Sequence, residues 1–317
     1  MTGQLCVVTG ATGAIGPVLL DELARAGFRV RGVSRHGETA ADVTDLDAMR
    51  RALEGADRVV HAAALLHINN PPPEMHDLYR RVNVGGTENV VRAAEEGGAG
   101  RIVYCSTINV YGANLREVVD ETTEPRPDTI YAQTKYDAER IVLGSGHGTV
   151  LRLAAVYGAR MKGNYRRLLH AVSHGRFLGV GDGSNRRTLV YDRDVARAAV
   201  LAAMHPSAVN GTFNVTDGAV HTVREILAAM AGAVGRKPPR LALPVAPIRL
   251  GIATVETLAR AAHIKPPVTR ALLDKYLEDI AVRGDKIQRE LGFTPAFDLH
   301  HGWADTAETL RASGEPI

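Results

Sequence analysis

Val7-Val8-Thr9-Gly10-Ala11-Thr12-Gly13-Ala14-Ile15-Gly16 sets three glycines at three-residue spacing between an apolar run and a helical pattern. Residues 5–9 read as a buried strand. The pattern from about 15 to 26, closed by Gly27, reads as the helix that follows it. In such a unit Gly10 takes the tight turn, Gly13 leaves room beside the backbone for a pyrophosphate, and Gly16 lets the helix pack closely on the strand. The helix N-terminus, with unpaired N–H groups and a positive dipole end, then faces the anion. An ordinary strand-to-helix turn can carry the same glycines, and the residues downstream decide.

Residues 28–34 form a second strand, and an acid at its end, about 20 residues past the glycines, is the mark of NAD. Ser34-Arg35-His36 stands there instead. Arg35 is placed either to pair with the ribose 2′-phosphate of NADP or to remain a solvated loop charge. Asp42-Val43-Thr44-Asp45 opens a short helix, with Thr44 or Asp45 as its cap. Residues 58–61 make a third strand that runs into Ala62-Ala63-Ala64, whose small side chains let a flat ligand approach the backbone. A proline-rich loop covers residues 69–73. Residues 78–96 read as one long helix in which Asn83 stands among apolar neighbours, satisfying nearby backbone or steadying a ligand-bearing loop.

A fourth strand at 101–105 leads to Ser106-Thr107-Ile108-Asn109, and Tyr131-Ala132-Gln133-Thr134-Lys135 opens a later helix. Tyr131 and Lys135 are four residues apart, hence one turn apart on one helical face. A lysine ammonium beside a phenol favours the phenolate and lowers its pKa, which suits a general acid or base. Thr107 offers a hydroxyl to hold a substrate oxygen. The same Tyr/Lys spacing also occurs on solvated helix faces. Further strands are expected at 149–153, 188–191 and 212–215, the last of the series, with helices at 165–174, 194–204 and 222–234. A proline-interrupted connector at 237–247 precedes a helical tail with no legible chemistry.

Composition narrows the class. The 317 residues suffice for a main domain and a smaller lobe, and 45% hydrophobic content excludes a disordered chain. No apolar run reaches a bilayer span and no secretory signal opens the chain, which points to the cytoplasm. The 38 basic and 35 acidic residues, a net charge of +3, do not suggest a nucleic-acid partner. Cys6 and Cys105 fall in apolar strands and read as free packing thiols, and no cluster has metal-ligand spacing.

The glycine triplet, Asp42-Val43, His61 through Ala64, Asn83, Ser106-Thr107, Tyr131 with Lys135 and the 152–158 segment occur in an order that resembles the extended short-chain dehydrogenase/reductases. The resemblance covers nearly the whole chain. It implies that Gly10, Gly13 and Gly16 meet the pyrophosphate, with Thr12, Ala14 and Ile15 of the same turn also binding the cofactor. Asp42 and Val43 flank the adenine, and Ala62, Ala63, Ala64 and Asn83 line the cofactor. Thr107, Tyr131 and Lys135 match the catalytic triad, Lys135 also holding the nicotinamide ribose. Departures sort the members. Ile108 and Asn109 replace the acidic pair of the dehydratases, and Ala155 replaces an asparagine usual in nucleotide-sugar enzymes. Arg187 does match the arginine that many sugar-nucleotide members direct at diphosphate. The late stretches 266–270 and 291–295 look like the tail of the 3β-hydroxysteroid dehydrogenase-like and related epimerase-like branch.

The expectation is therefore an α/β protein with a doubly wound parallel sheet of Rossmann type and a smaller, mostly helical cap. The dinucleotide-binding domain spans 1–160, with 188–216 returning to it, and the substrate-binding cap spans most of 161–317. Its activity is NAD(P)-dependent hydride transfer, leaning to NADP, between a secondary alcohol and a ketone. Thr107, Asn109 and Arg187 face the small-molecule substrate, no metal takes part, and a homodimer is left open. The alternatives are an NDP-sugar 4-epimerase using bound NAD, and a nucleotide-sensing regulator without catalysis, against which Tyr131, Lys135 and Thr107 argue.

Overall fold

A computed structural model describes residues 3–317 except 67, 69, 70, 114, 116, 178, 240, 241, 263, 265 and 267. Residues 69 and 70 of the proline-rich loop and 267 of the late stretch thus lie outside the described ones.

Strands β1 (Leu5–Thr9), β2 (Arg29–Ser34), β3 (Thr39–Ala40), β4 (Arg58–His61), β5 (Ile102–Thr107) and β6 (Gly148–Leu153) come first. Short strands β7 (Ala155–Tyr157), β8 (Gly179–Val180), β9 (Arg186–Arg187) and β10 (Leu189–Tyr191) precede β11 (Thr212–Val215), and β12 (His221–Thr222) and β13 (Ala242–Leu243) follow it. The main sheet is parallel throughout, in the order β11-β6-β5-β4-β1-β2-β3. Its central strands β1, β5 and β6 are buried at every residue, the pattern of a sheet covered on both faces.

The helices are α1 (Gly16–Arg25), α2 (Leu46–Ala52), α3 (His76–Tyr79), α4 (Gly86–Glu96), α5 (Ile130–Gly144), α6 (Asn164–Ser173), α7 (Asp192–Met204), α8 (Val223–Ala233), α9 (Val245–Ala261), α10 (Arg270–Leu277), α11 (Asp285–Leu291) and α12 (Leu299–Ala312). One core gathers Leu19, Leu23, Val195 and Ala199 of α1 and α7, and another gathers Met49, Val90, Ala138 and Val142 of α2, α4 and α5. The two cores cover opposite faces of a doubly wound sheet. A third joins α6, α8 and α12 around Trp303, which stacks on Tyr157 at 4.6 Å between ring centres.

Three expectations change. The helix read as continuous over 78–96 is interrupted by a π-helical turn, Arg80–Gly85, between α3 and α4. There the Thr87 hydroxyl donates to the Asn83 carbonyl at 2.6 Å, and the Asn83 side chain turns inward with only 1% exposure. The fourth strand runs on to Thr107 rather than stopping at Cys105, which carries that threonine to the carboxyl edge of the sheet. β11 is the sheet's edge strand, but short strands β12 and β13 come after it.

A buried polar network fastens α5 to the sheet. Glu139 of α5 accepts hydrogen bonds from Arg152 Nη2 at 2.7 Å and from Ser106 Oγ at 2.5 Å, with its side chain 1% exposed. Arg152 of β6 also donates to the Tyr111 hydroxyl at 3.0 Å, which donates to Asn214 Oδ1 of β11 at 2.9 Å. Breaking a buried ion pair from one side leaves the other charge stranded in a medium of low polarity. Arg152→Met should therefore destabilise the fold by about 3–5 kcal/mol in urea unfolding. Adding Glu139→Leu should recover part of the loss, because Ser106 and Tyr111 still lack their partners. An unchanged midpoint in Arg152→Met would show that the pair is not a stabilising anchor.

Candidate active site

The order of the main sheet reverses between β1 and β4, and ligands of such sheets bind in the crevice beyond the strand ends at that reversal. Gly10 leaves β1 with φ +76°, and a Cβ there would lie 2.7 Å from the backbone nitrogen of Ala63. The loops after β1 and β4 therefore touch through bare backbone. At Gly16 an added Cβ would collide with the carbonyl of Ala11, so this glycine lets the turn fold on itself rather than easing helix against strand as expected. Gly13 keeps an open side, since an added Cβ would meet only the Gly10 oxygen at 3.0 Å. Thr12, Ala14 and Ile15 complete the turn, and no side chain caps the N-terminus of α1, which leaves its orphan N–H groups for an anion.

At the end of β2, Arg35 and His36 are exposed, and the Ser34 Oγ is buried with no hydrogen-bond partner. A dinucleotide with its pyrophosphate at α1 and its ribose at β2 fits an uncapped helix and an orphaned hydroxyl in these places. Asp42 accepts from the backbone nitrogen of Thr44 at 2.9 Å and from its hydroxyl at 2.8 Å, which hold its carboxyl below the usual range. Asp45 caps α2. Val43 packs so tightly on Gly86 that a Cβ at Gly86 would lie 2.7 Å from its methyl group.

Ala62, Ala63 and Ala64 leave β4 half-buried. Asn83 braces the loop that follows them. Its Oδ1 accepts from the Leu65 nitrogen at 2.7 Å, and its Nδ2 donates to the Thr134 hydroxyl of α5 at 3.1 Å. Tyr79 acts alongside, donating to the Leu66 carbonyl at 2.7 Å. His61 is a satisfied core residue, its two nitrogens at 2.7 and 3.0 Å from the hydroxyls of Thr9 and Thr87 and its pKa pushed down to about 3 by burial.

Thr107 ends β5, and its Oγ1 accepts from the Asn109 nitrogen at 3.2 Å. Thr129 caps α5, which puts Tyr131 in the first turn and Lys135 one turn on. The Tyr131 and Thr107 hydroxyls are hydrogen-bonded to each other. The expected lowering of the Tyr131 pKa by Lys135 is not found. Burial pushes the Tyr131 phenol up to about 12, against the Thr107 hydrogen bond. Lys135 is only 2% exposed, and burial brings its pKa down to about 8. Its Nζ donates to the Cys105 carbonyl at 2.5 Å and sits 4.1 Å from the centre of the Tyr104 ring. Helical spacing set the two residues one turn apart, and desolvation is the largest cause of the shift at each.

Thr107, Asn109 and Ala155 line a cleft of about 990 Å³ bounded by α6, α8, α9 and α10. Its walls are largely aliphatic, with Leu168, Ile226, Ile252 and Leu272 among them. Arg187 also faces it, but Nη2 donates to the Lys275 carbonyl at 2.6 Å, and Nη1 stands 3.8 Å from the Glu278 carboxylate. The helical tail that carried no chemistry in the sequence thus supplies cleft wall and the partners of Arg187. Tyr79, Glu139 and the residues of α9 and α10 were not singled out from the sequence. A YxxxKxxxE spacing over 131–139 was the one local signal for Glu139.

Among the described residues no group of three or more His, Cys, Asp or Glu is arranged to hold a metal, and no helix is long and apolar enough to cross a membrane. Two of the relatives that match most of this chain show the range. An N-acetyl-alpha-D-glucosaminyl-diphospho-ditrans,octacis-undecaprenol 4-epimerase of Escherichia coli O157:H7 is 27% identical, over 93% of this chain and 92% of its own. A 4-hydroxy-2-methyl-3-oxo-4-farnesyl-3,4-dihydroquinoline-1-oxide ketoreductase of Stigmatella aurantiaca is 30% identical, over 97% and 96%. The solved structure of MoeE5 in complex with UDP-glucuronic acid and NAD superposes with a TM-score of 0.76 at 27% identity, covering 97% of this chain and 99% of that one. The model of the NAD dependent epimerase/dehydratase family matches residues 6–216, from β1 through β11. With the reversal-point crevice and the Thr107, Tyr131 and Lys135 geometry, this places the chain in the NAD dependent epimerase/dehydratase family, among extended short-chain dehydrogenase/reductases.

Proposed function

We propose that the protein is an NADP(H)-preferring oxidoreductase that interconverts a ketone and a secondary alcohol on a largely apolar substrate. The observation that carries this reading is the hydrogen-bonded pair of Thr107 and Tyr131 hydroxyls, with Thr107 lining an aliphatic cleft. Gly10 through Gly16, Asp42, Val43 and Ala62 through Ala64 would hold the dinucleotide, Arg35 its 2′-phosphate and Lys135 its nicotinamide ribose. When bound, the nicotinamide supplies or accepts hydride.

The chain's own residues manage the oxygen and its proton. Thr107 positions the substrate oxygen with its hydroxyl. Tyr131, raised to about 12, keeps its proton at neutral pH and is set to deliver it from Oη to a ketone oxygen. Lys135, one turn away on the same helix, would serve by holding the nicotinamide ribose, and the Thr107 hydrogen bond is what favours the phenolate left behind. In the oxidative direction the same groups run in reverse.

The substrate side is supported by Ala155, Ile108 and the aliphatic walls, which leave a sugar's hydroxyls few partners. Relatives named for undecaprenol- and farnesyl-bearing compounds agree with an apolar body. A nucleotide-sugar epimerase is the second reading, favoured by Arg187 facing the cleft with a buried Nη1 that makes no hydrogen bond.

Three measurements test these assignments. Tyr131→Phe should lower turnover about a hundredfold or more while sparing NADP(H) affinity, and a variant that keeps most of its rate would remove Tyr131 from the mechanism. Calorimetric titration should show tighter binding of NADP(H) than NAD(H), a preference largely erased in Arg35→Ala with NAD(H) affinity unchanged. Equal affinities in the unmodified protein would return Arg35 to the solvent. Titration with UDP alone should give no binding. A micromolar affinity that disappears in Arg187→Ala would establish the nucleotide-sugar reading instead.

A further inference from the structure

The charges of the cleft do not balance. Four basic side chains line it, Arg167, Arg176, Arg187 and Lys275, against one acid, Glu278. Glu278 is committed to two of them, with Lys275 Nζ at 2.6 Å and Arg187 Nη1 at 3.8 Å. The guanidinium groups of Arg167 on α6 and Arg176 just beyond its C-terminus make no hydrogen bond or ion pair among the described residues. Both residues are exposed. Pro247, Ile248, Ile252 and Leu272 of α9 and α10 line the same cleft. The apolar lining continues outward, since Val255 and Val268 both line the cleft and are 42% and 41% exposed.

From this arrangement we infer that the substrate is an anionic amphiphile, whose carboxylate or phosphate head is met by Arg167 and Arg176 and whose long apolar body lies against α9 and α10. A nucleoside matches these surroundings poorly, because its base edges need hydrogen-bond partners that aliphatic walls do not provide. A neutral lipid fits the walls but gives the two guanidinium groups no charged partner beyond solvent. An acid or phosphate ester answers both, with charge-assisted bonds for the guanidinium groups and burial for the hydrocarbon. The cleft volume stands at the upper end of the ~300–1,000 Å³ usual for small-molecule sites, enough for a chain rather than a fragment. The inference rests on the oxidoreductase reading only for the role of the bound molecule as substrate, and its test needs no turnover.

Displacement of the neutral fluorophore Nile red from the full-length protein provides that test, with laurate, dodecyl phosphate and dodecanol below their aggregation concentrations. Laurate, dodecyl phosphate or both should displace the dye at concentrations about tenfold or more below that of dodecanol. Preference for one anion identifies the head group. The Arg167→Ala, Arg176→Ala double variant should bring the anions to the level of dodecanol and leave dodecanol unchanged. Ile252→Asp should weaken all three. Equal displacement by dodecanol and the anions in the unmodified protein, or an anion preference that survives in the double variant, would overturn the proposal. If the anion preference holds but no ketone or alcohol is turned over, the oxidoreductase reading fails alone. If neutral ketones are reduced without any anion preference, this proposal fails alone.

Discussion

The buried ion pair between Glu139 and Arg152 is the contact on which the geometry of the site depends. Two charges out of water are tolerated only where their remaining hydrogen-bonding capacity is also met. Ser106 meets it on the carboxylate side, and Tyr111 and Asn214 on the guanidinium side. The members of this chain come from β5, α5, β6, the turn after β5 and β11. One network therefore fixes the end of the strand that presents Thr107 and the helix that presents Tyr131 and Lys135. A purely apolar contact would leave α5 free to slide or rotate by fractions of a turn. Directed bonds at 2.5–2.7 Å do not.

A second constraint acts at the reversal of the sheet. Gly10 and Ala63 meet backbone to backbone, and Asn83 holds the adjoining loop while reaching the hydroxyl of Thr134 on α5. The crevice at the sheet reversal and helix α5 are thereby joined through one amide side chain. The π turn at Arg80–Gly85 is where that amide sits. Extra residues in a helical turn cost regular hydrogen bonding, and such turns gather at functional sites. Burial sets the electrostatics here. It moves Tyr131 and Lys135 in opposite directions, each toward its neutral form, and the site rests with a protonated phenol beside a lysine whose charge is easily given up.

The cleft bounded by α6, α8, α9 and α10 reverses the balance found in the crevice. There, backbone groups and one orphaned hydroxyl stand ready for a polar ligand, whereas α9 and α10 line the cleft with hydrocarbon. Arg187 lines the cleft but is tied to the C-terminal helices, its Nη2 donating to the Lys275 carbonyl while Nη1 stands 3.8 Å from the Glu278 carboxylate without a hydrogen bond.

Much of this was legible in the chain itself. Three glycines after an apolar run, strands alternating with helical periods, and Tyr131 four residues from Lys135 are local patterns. Local patterns follow from backbone sterics and helical pitch. They determined the strand-turn-helix opening, the alternating α/β order and the placing of Tyr131 and Lys135 on one face. Other features depend on residues far apart in sequence. The partnership of Glu139 with Arg152, Asn83 reaching Leu65 and Thr134, and Arg187 bound by the tail join elements 13 to 88 positions apart. The pKa of Tyr131 was misjudged for the same reason. Proximity to an ammonium can be read from spacing, but the loss of solvent around a phenol is a property of everything packed about it, and only the tertiary structure decides that.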